Sequence, residues 1–277
     1  MSSPLPASRT GRIGRPDGAT IVYEITGSGP ALLFAHGLGG NHLSWWQQLP
    51  VFARAHTCIA FSHRGFSPST SPEGAPDPRD YAADAAALLD HLEIDRVVHV
   101  GQSMGGWTGV ELALRHPERL AGLVLACTTG SLDFDRFDDP AIVAWRERAP
   151  RMVAEMDARG IHRATGEVFA RTEPALHNLY GMIDRLNAGL DKEAVRRRIW
   201  EMRSRGPEDA ARIACPVLCI TGEDDAVIAP AGVRAVARHI PDATVVGIPA
   251  TGHSVYFERA DLFNAVLAEF LERIGWR

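Results

Sequence analysis

The sequence contains no apolar run of the roughly 18 residues that a membrane-spanning helix requires, so neither a spanning helix nor a membrane partner is expected. Its first stretch, MSSPLPASRTGRIGRPDG, lacks the apolar block of a secretory signal and reads as a loose tail ahead of the first strand. Basic charge is also scarce. Lys and Arg number 29 against 34 Asp and Glu, a net charge of −5, which provides no field for nucleic acid or anionic lipid. There are 4 cysteines, Cys58, Cys127, Cys215 and Cys219. CPVLC is a lone CxxxC with no second Cys/His pair near it, so no metal and no redox pair is expected. Buried free thiols in a reducing, cytoplasmic compartment are the better reading. Neither phosphate-cradling pattern, G-x-x-x-x-G-K-[ST] or G-x-G-x-x-G, occurs. Internal repeats and low-complexity segments are not evident.

What is present is a chain of 277 residues with 45% hydrophobic content, enough for one large α/β domain or a domain carrying an insertion. Thr20–Thr26 alternates and suits an antiparallel edge strand. Ala31–Gly37, Thr57–Ser62, Val97–Gln102, Leu120–Cys127, Pro216–Gly222 and Thr244–Pro249 are near-continuous apolar runs, as expected of strands buried on both faces of a parallel sheet. Helical patterns alternate with them: Asp80–Leu92, Met104–His116, Pro230–Ile240 and Arg259–Ile274. From about Thr128 to Arg212 no strand is evident, only helix-like segments punctuated by Pro140, Pro150, Gly160, Pro174 and Pro207. This reads as a helical insertion between two strands. The acidic run Asp133–Asp139 at its start reads as a solvated hinge, and the Pro-rich segment Ser67–Asp80 as a surface loop.

At the end of one strand stands Gly101-Gln102-Ser103-Met104-Gly105, a G-x-S-x-G pentapeptide followed by a helical pattern. A sharp strand–turn–helix corner leaves no room for side chains on either side of the serine, and the helix N-terminus behind it favours developing negative charge. Ser103 is therefore the candidate nucleophile. Such a serine needs a base held by an acid, following it in the chain as acid and then His. Gly222-Glu223-Asp224-Asp225 ends one later strand and Gly252-His253 the last. Asp225 is preferred to Asp224 as the acid, and His253 is the base. His91, His99, His116 and His239 are read as packing or capping residues. The loop His36-Gly37-Leu38-Gly39-Gly40 lets backbone approach a substrate oxygen, which makes the Leu38 and Met104 N–H groups the candidate oxyanion donors.

Taken together, HG at residue 36, HRGFSPS at His63–Ser69, GQSMGG, the G-x-x-D of Gly222–Asp225 and Gly252-His253 resemble the α/β-hydrolase superfamily over nearly the whole chain. The resemblance implies a mostly parallel eight-stranded sheet with helices on both faces and a helical cap inserted after the sixth strand. It divides the chain into a core, 1–128 with 211–277, and a cap, 129–210. It carries Ser103, Asp225 and His253 over as a triad, and Leu38 and Met104 as oxyanion donors. It implies no cofactor. The chain departs from the family pattern at three places. Ser62 stands where an acidic residue often precedes the Arg of D-x-R-G, Gln102 stands where His or Asn is common, and Ala260 stands where Pro is common.

The closest resemblance is to small capped esterases and enol-lactonases, which implies a small-molecule ester or lactone as substrate, with the oligomeric state undetermined. His36, Gly37, Trp107, Tyr180 and Trp200 are the expected substrate contacts, with Met152, Met156, Phe169, Leu179, Met182, Ile183 and Met202 as further cap candidates and Trp45 and Trp46 nearby; such a lining suggests a small to medium hydrophobic acyl group or ring, cleaved through an acyl-enzyme. Competing readings on the same scaffold are hydrolysis of a C–C bond in a β-diketone or ring-fission product, a ligand-binding receptor, and cofactor-free oxygen chemistry.

Overall fold

A computed structural model of the chain describes residues 6–72 and 76–277. The strands are β1 (Arg9–Gly14), β2 (Thr20–Thr26), β3 (Ala31–Ala35), β4 (Thr57–Phe61), β5 (Val97–Gln102), β6 (Leu120–Ala126), β7 (Val217–Gly222) and β8 (Ala243–Ile248). The helices are α1 (Leu49–Phe52), α2 (Tyr81–His91), α3 (Met104–Arg115), α4 (Pro140–Ala158), α5 (Glu167–Thr172), α6 (Pro174–Arg185), α7 (Lys192–Met202), α8 (Pro207–Ala210), α9 (Pro230–Ala237), α10 (Val255–Glu258) and α11 (Ala260–Arg273). The strands form one eight-stranded sheet in the order β1-β2-β4-β3-β5-β6-β7-β8. β2 pairs antiparallel with both its neighbours, and every pair from β4 to β8 is parallel.

Three expectations need correction. Arg9–Gly14 falls in the segment read as a loose tail and is instead an edge strand; Met1–Leu5 lie outside the described residues. Ile13 is the one buried side chain of that strand, so its pairing rests on backbone hydrogen bonds that leave no hydrophobic pattern in the sequence. β1 takes the edge, so β2 lies one place inside it. β8, expected to be covered on both faces, is the opposite edge strand, and most of its side chains are partly or fully exposed. Of the loop Ser67–Asp80, residues 73–75 lie outside the described residues, and Pro78–Asp80 form a short 3-10 turn.

The continuous apolar runs have a simple cause: alternate side chains enter two different cores. On one face Leu33, Ile59, Phe61, Val97, Leu123, Leu125 and Val217 pack against α2, α3 and α9. On the other Leu32, Phe34, Cys58, Val98, Val100, Val124, Leu218 and Ile220 pack with α1, α10 and α11. Cys58, Cys127 and Cys219 are free and buried within this arrangement, and Cys215 is free and half-buried.

Between β6 and β7 the chain runs through α4 to α8 with no sheet strand. The acidic run at the start of this segment supplies helix caps. Asp133 accepts the Asp135 N–H, and Asp139 accepts the Ala141 N–H at the first turn of α4 and pairs with Arg238. Two seams hold the helices on the rest of the molecule. Val195 and Ile199 of α7 pack on Phe66, Tyr81, Met104 and Trp107, while Phe169, Tyr180 and Ile183 pack on the aromatic residues around Phe257. Buried Asn187 stitches the first seam, donating to Gly40 O and accepting the Ser67 N–H.

Ser62 fills the place of an acidic residue by accepting the His42 N–H and donating to Ser67 O. The Arg64 side chain two residues on is buried and meets other carboxylates. It grips Asp84 through Nε and Nη2 at 2.6 and 2.7 Å, and reaches Asp17 at 2.6 Å and Asp80 at 2.9 Å. This ties the β1–β2 turn, the exit of β4 and the start of α2 together. Arg64→Met leaves buried Asp84 with Arg15 alone. Breaking a buried pair from one side costs about 3 kcal/mol or more, so the thermal midpoint should fall by roughly 6–12 °C. A wild-type midpoint in a thermal melt of the variant would show that the cluster does not hold the fold.

Candidate active site

Strand order places the site. β4 lies on one side of β3 and β5 on the other, so the loops leaving β3 and β5 diverge and open a crevice at the C-terminal ends of the strands. Leu38 follows β3 and Ser103 follows β5, in register through Ala35 and Gly101. β6, β7 and β8 run parallel to them, so Cys127, Asp225 and His253 emerge at the same edge.

Ser103 has φ +50° and ψ −114°, a left-handed conformation that an L side chain adopts at a cost of about 1–3 kcal/mol. Tight packing on both sides imposes it. A Cβ on Gly101 would stand 2.4 Å from the carbonyl oxygen of Gly105, and one on Gly105 would stand 2.0 Å from that of Ala35. The Ser103 N–H bonds Ala126 O at 3.0 Å, and its carbonyl accepts from the Gly106 N–H and the Thr128 hydroxyl. Met104 is the first residue of α3, so helix geometry leaves its N–H without an intrahelical acceptor.

Asp225 is buried, and its carboxylate is fully engaged. One oxygen accepts the N–H groups of Val227 and Ile228 at 2.7 and 2.9 Å, and the other receives His253 Nδ1–H at 2.8 Å. Asp224 is exposed and donates its N–H to Thr251 O. An imidazole whose Nδ1–H is committed to a carboxylate presents Nε2 as a proton acceptor. Gln102 donates its amide to His253 O at 3.0 Å, so this departure from the family pattern braces the histidine loop. Cys127, Asp225 and His253 are the one His/Cys/acid grouping of metal-binding size among the described residues. Burial pushes the Cys127 thiol well above its ordinary value, and its S–H is aimed at Gly252 O, so it offers no thiolate.

Ser103 and His253 both line a cavity of about 380 Å³, together with Leu38, Met104 and Gln102. Of the expected substrate contacts, Tyr180 and Trp200 line it, while His36, Gly37 and Trp107 do not. His36 is buried beneath the loop, where Nε2 accepts the His63 N–H, and burial lowers its pKa to about 3. Gly37 backs onto the Gln102 side chain, and the Trp107 indole packs in the seam between α3 and α7. The further candidates are also absent from its lining: Phe169 and Ile183 are buried in the core, Met202 packs beside Trp107 and Met182 is exposed. Polar residues between β6 and β7 that hydropathy did not single out complete the cavity lining: His162, Arg163, Asp184, Lys192, Glu193, Arg196 and Arg203. Burial works against ionisation of Asp184, but His162 and Lys192 outweigh it and hold the carboxyl below its ordinary value.

A mostly parallel sheet with a strained serine at a strand–helix corner, and an Asp–His pair from the ends of β7 and β8, defines a recognisable class of protein. The alpha/beta hydrolase fold family model matches residues 30–260, and the chain belongs to that family. A Mycobacterium tuberculosis protein carrying a provisional non-heme bromoperoxidase name, BpoC, is 30% identical over 266 residues, 92% of this chain and 98% of its own. The 3-oxoadipate enol-lactonase 2 of Acinetobacter baylyi is 28% identical over 250 residues, 89% of this chain and 90% of its own. Among solved structures, a thermophilic esterase from Thermogutta terrifontis superposes with a TM-score of 0.77 at 26% identity, covering 96% of this chain and 99% of its own. No helix among the described residues is long and apolar enough to cross a membrane.

Sequence reasoning missed Glu258, five residues after His253. Its buried carboxylate accepts the N–H groups of Gly252 and Gly166 at 2.9 Å and of Ser254 at 3.1 Å, joining the histidine loop to the segment before α5. No local signal marks it, because all its partners are backbone groups and one lies 92 residues away. Burial pushes its carboxyl from an ordinary 4.5 up to about 7, with the three N–H groups acting against that rise. Between these pH values the folded state holds a proton that the unfolded chain has released, so this group lowers stability as pH rises from 4.5 to about 7. Glu258→Gln removes the titration and turns an amide N–H toward the Ser254 N–H. The variant should be less stable by about 1–2 kcal/mol at pH 5, with the gap narrowing toward pH 8. Thermal melts from pH 5 to 8 check this; parallel curves would show that Glu258 does not titrate in that window.

Proposed function

We propose that the protein is a serine hydrolase that cleaves a carboxylic ester or lactone of small to medium size through an acyl-enzyme. The observation that carries this reading is the buried Asp225–His253 hydrogen bond opening on the same cavity as the strained Ser103. In this reading His253 Nε2 takes the Ser103 Oγ proton as the oxygen attacks the substrate carbonyl. Asp225 holds the tautomer and stabilises the imidazolium. The Leu38 and Met104 N–H groups stabilise the tetrahedral oxyanion, and the helix dipole of α3 adds to them. Protonated His253 then passes its proton to the leaving alkoxide. Water attacks the acyl-enzyme in the second half, with His253 again as base. Residues 129–210 act as a cap over the serine, and Tyr180 and Trp200 supply apolar contact to the substrate. The enol-lactonase and esterase among its relatives support an ester or lactone as the bond cleaved. Four free thiols fit a reducing, cytoplasmic setting.

Ser103→Ala and His253→Ala should each lower kcat for a short p-nitrophenyl ester by at least about 10³-fold. A fluorophosphonate should label wild-type Ser103, located by peptide mass. Loss of activity in His253→Ala with near-wild-type activity in Ser103→Ala would instead mark His253 as a base acting without a serine nucleophile. An unlabelled serine with no ester turnover would remove the hydrolase reading.

A further inference from the structure

Four cationic residues line the cavity, Arg163, Lys192, Arg196 and Arg203, against the carboxylates of Asp184 and Glu193. Three of the cations are paired within the protein. Lys192 lies 2.7 Å from Asp184, Arg196 is bonded to Glu193, and Arg163 stands 3.7 Å from Asp157. Arg203 differs. It follows the last turn of α7, and its Nε and Nη1 are shut off from solvent with no hydrogen-bond partner among the described residues. The guanidinium lies beside a T-shaped pair of rings, 4.5 Å from the centroid of Trp200 and 5.8 Å from that of Phe134. Rings accept no N–H hydrogen bond of ordinary strength. Asp133 and Asp135 act on it only at a distance, and burial draws its pKa down to about 10, so it remains charged at neutral pH. A cation whose buried N–H groups lack an acceptor is desolvated without compensation, a cost that an incoming anion removes.

We propose that Arg203 is the binding site for a carboxylate carried by the substrate at a distance from the bond cleaved, so that the natural ester or lactone is an acid and not a neutral lipid-like ester. This rests on the hydrolase reading above and names its substrate class. A carboxylate matches the planar donors of a guanidinium and forms charge-assisted hydrogen bonds to it. Pairing neutralises the other three cations, which leaves the Arg203 guanidinium as the cation of the lining without a bonded carboxylate among the described residues. The apolar residues Leu38, Met104, Ile199, Trp200, Val227 and Ile228 line the same cavity and suit a hydrocarbon linker between the reacting carbonyl and the acid.

The test uses mono-p-nitrophenyl esters of the straight-chain six-, eight- and ten-carbon dicarboxylic acids, each beside its ω-methyl ester. For at least one length, wild-type kcat/KM for the free acid should exceed that for the methyl ester by about ten- to a hundredfold. In Arg203→Met that ratio should fall to about 1, and in Arg203→Lys part of the preference should return. Circular dichroism checks folding, and if the methionine variant does not fold, Arg203→Gln takes its place. A wild-type ratio near 1 at every length, or a preference that survives removal of the guanidinium, overturns the proposal and leaves the hydrolase reading standing. If no ester of either kind is cleaved, the hydrolase reading fails instead. Calorimetry with the free dicarboxylic acids then decides on Arg203: binding to wild type that is lost in Arg203→Met supports the site, and equal or absent binding overturns it.

Discussion

The N-terminus of α3 sits so close to β3 and β5 that Gly105 rests on the carbonyl oxygen of Ala35 and Gly101 on that of Gly105. No side chain fits at either contact, and the backbone between them must pass through the left-handed region at Ser103. Everything else at the site is arranged around that corner. The β3–β5 pairing sets the loop of Leu38 beside it, and the β5–β6 pairing anchors the Ser103 N–H on Ala126 O. The strain in one residue is thus held by two helix–sheet contacts and a ladder of parallel strands. That is how a globular fold maintains an unfavourable φ without a compensating ligand.

The histidine loop is held with comparable care, but by polar groups. Asp225 takes three hydrogen bonds, Gln102 pins His253 O, and Glu258 gathers three backbone N–H groups. Among these N–H groups, that of Gly166 belongs to the helical segment between β6 and β7. One buried carboxylate therefore couples the position of the proposed base to the position of the proposed cap. Ser254, which donates to the Tyr180 hydroxyl, repeats the link a few residues away.

The cavity between these parts is mixed in character. Its floor is backbone and apolar side chains from the strand ends, and its roof is charged residues of α6, of α7 and its end, and of the segment before α5. Pairing neutralises most of those charges, and the guanidinium of Arg203 is the cation set apart from that pairing. A hydrophobic acyl pocket, the expectation from the apolar candidates in the sequence, describes the floor better than the roof.

Much of this architecture was legible in the residues. Val97–Gln102 and Thr20–Thr26 can be read with their observed bounds, and GQSMG, Asp225 and His253 in order along the chain mark the corner and the pair, because each depends on local pattern or spacing. Arg9–Gly14 could not be read, since an edge strand with one buried side chain owes its existence to the neighbouring backbone. The edge position of β8 was hidden for the converse reason: its apolar residues imitate a covered strand, and strand order is a property of the whole sheet. His36, Gly37 and Trp107 lie next to site residues in sequence yet face away from the cavity, while Glu258 and Arg203 act through partners far along the chain. Periodicity and short-range sterics were enough to mark the inner strands, the corner at Ser103 and the chemical types available. Which side chains share a cavity, which charges are paired and which carboxylate is buried emerged with the folded chain, because those outcomes depend on contacts between segments that the chain order does not bring together.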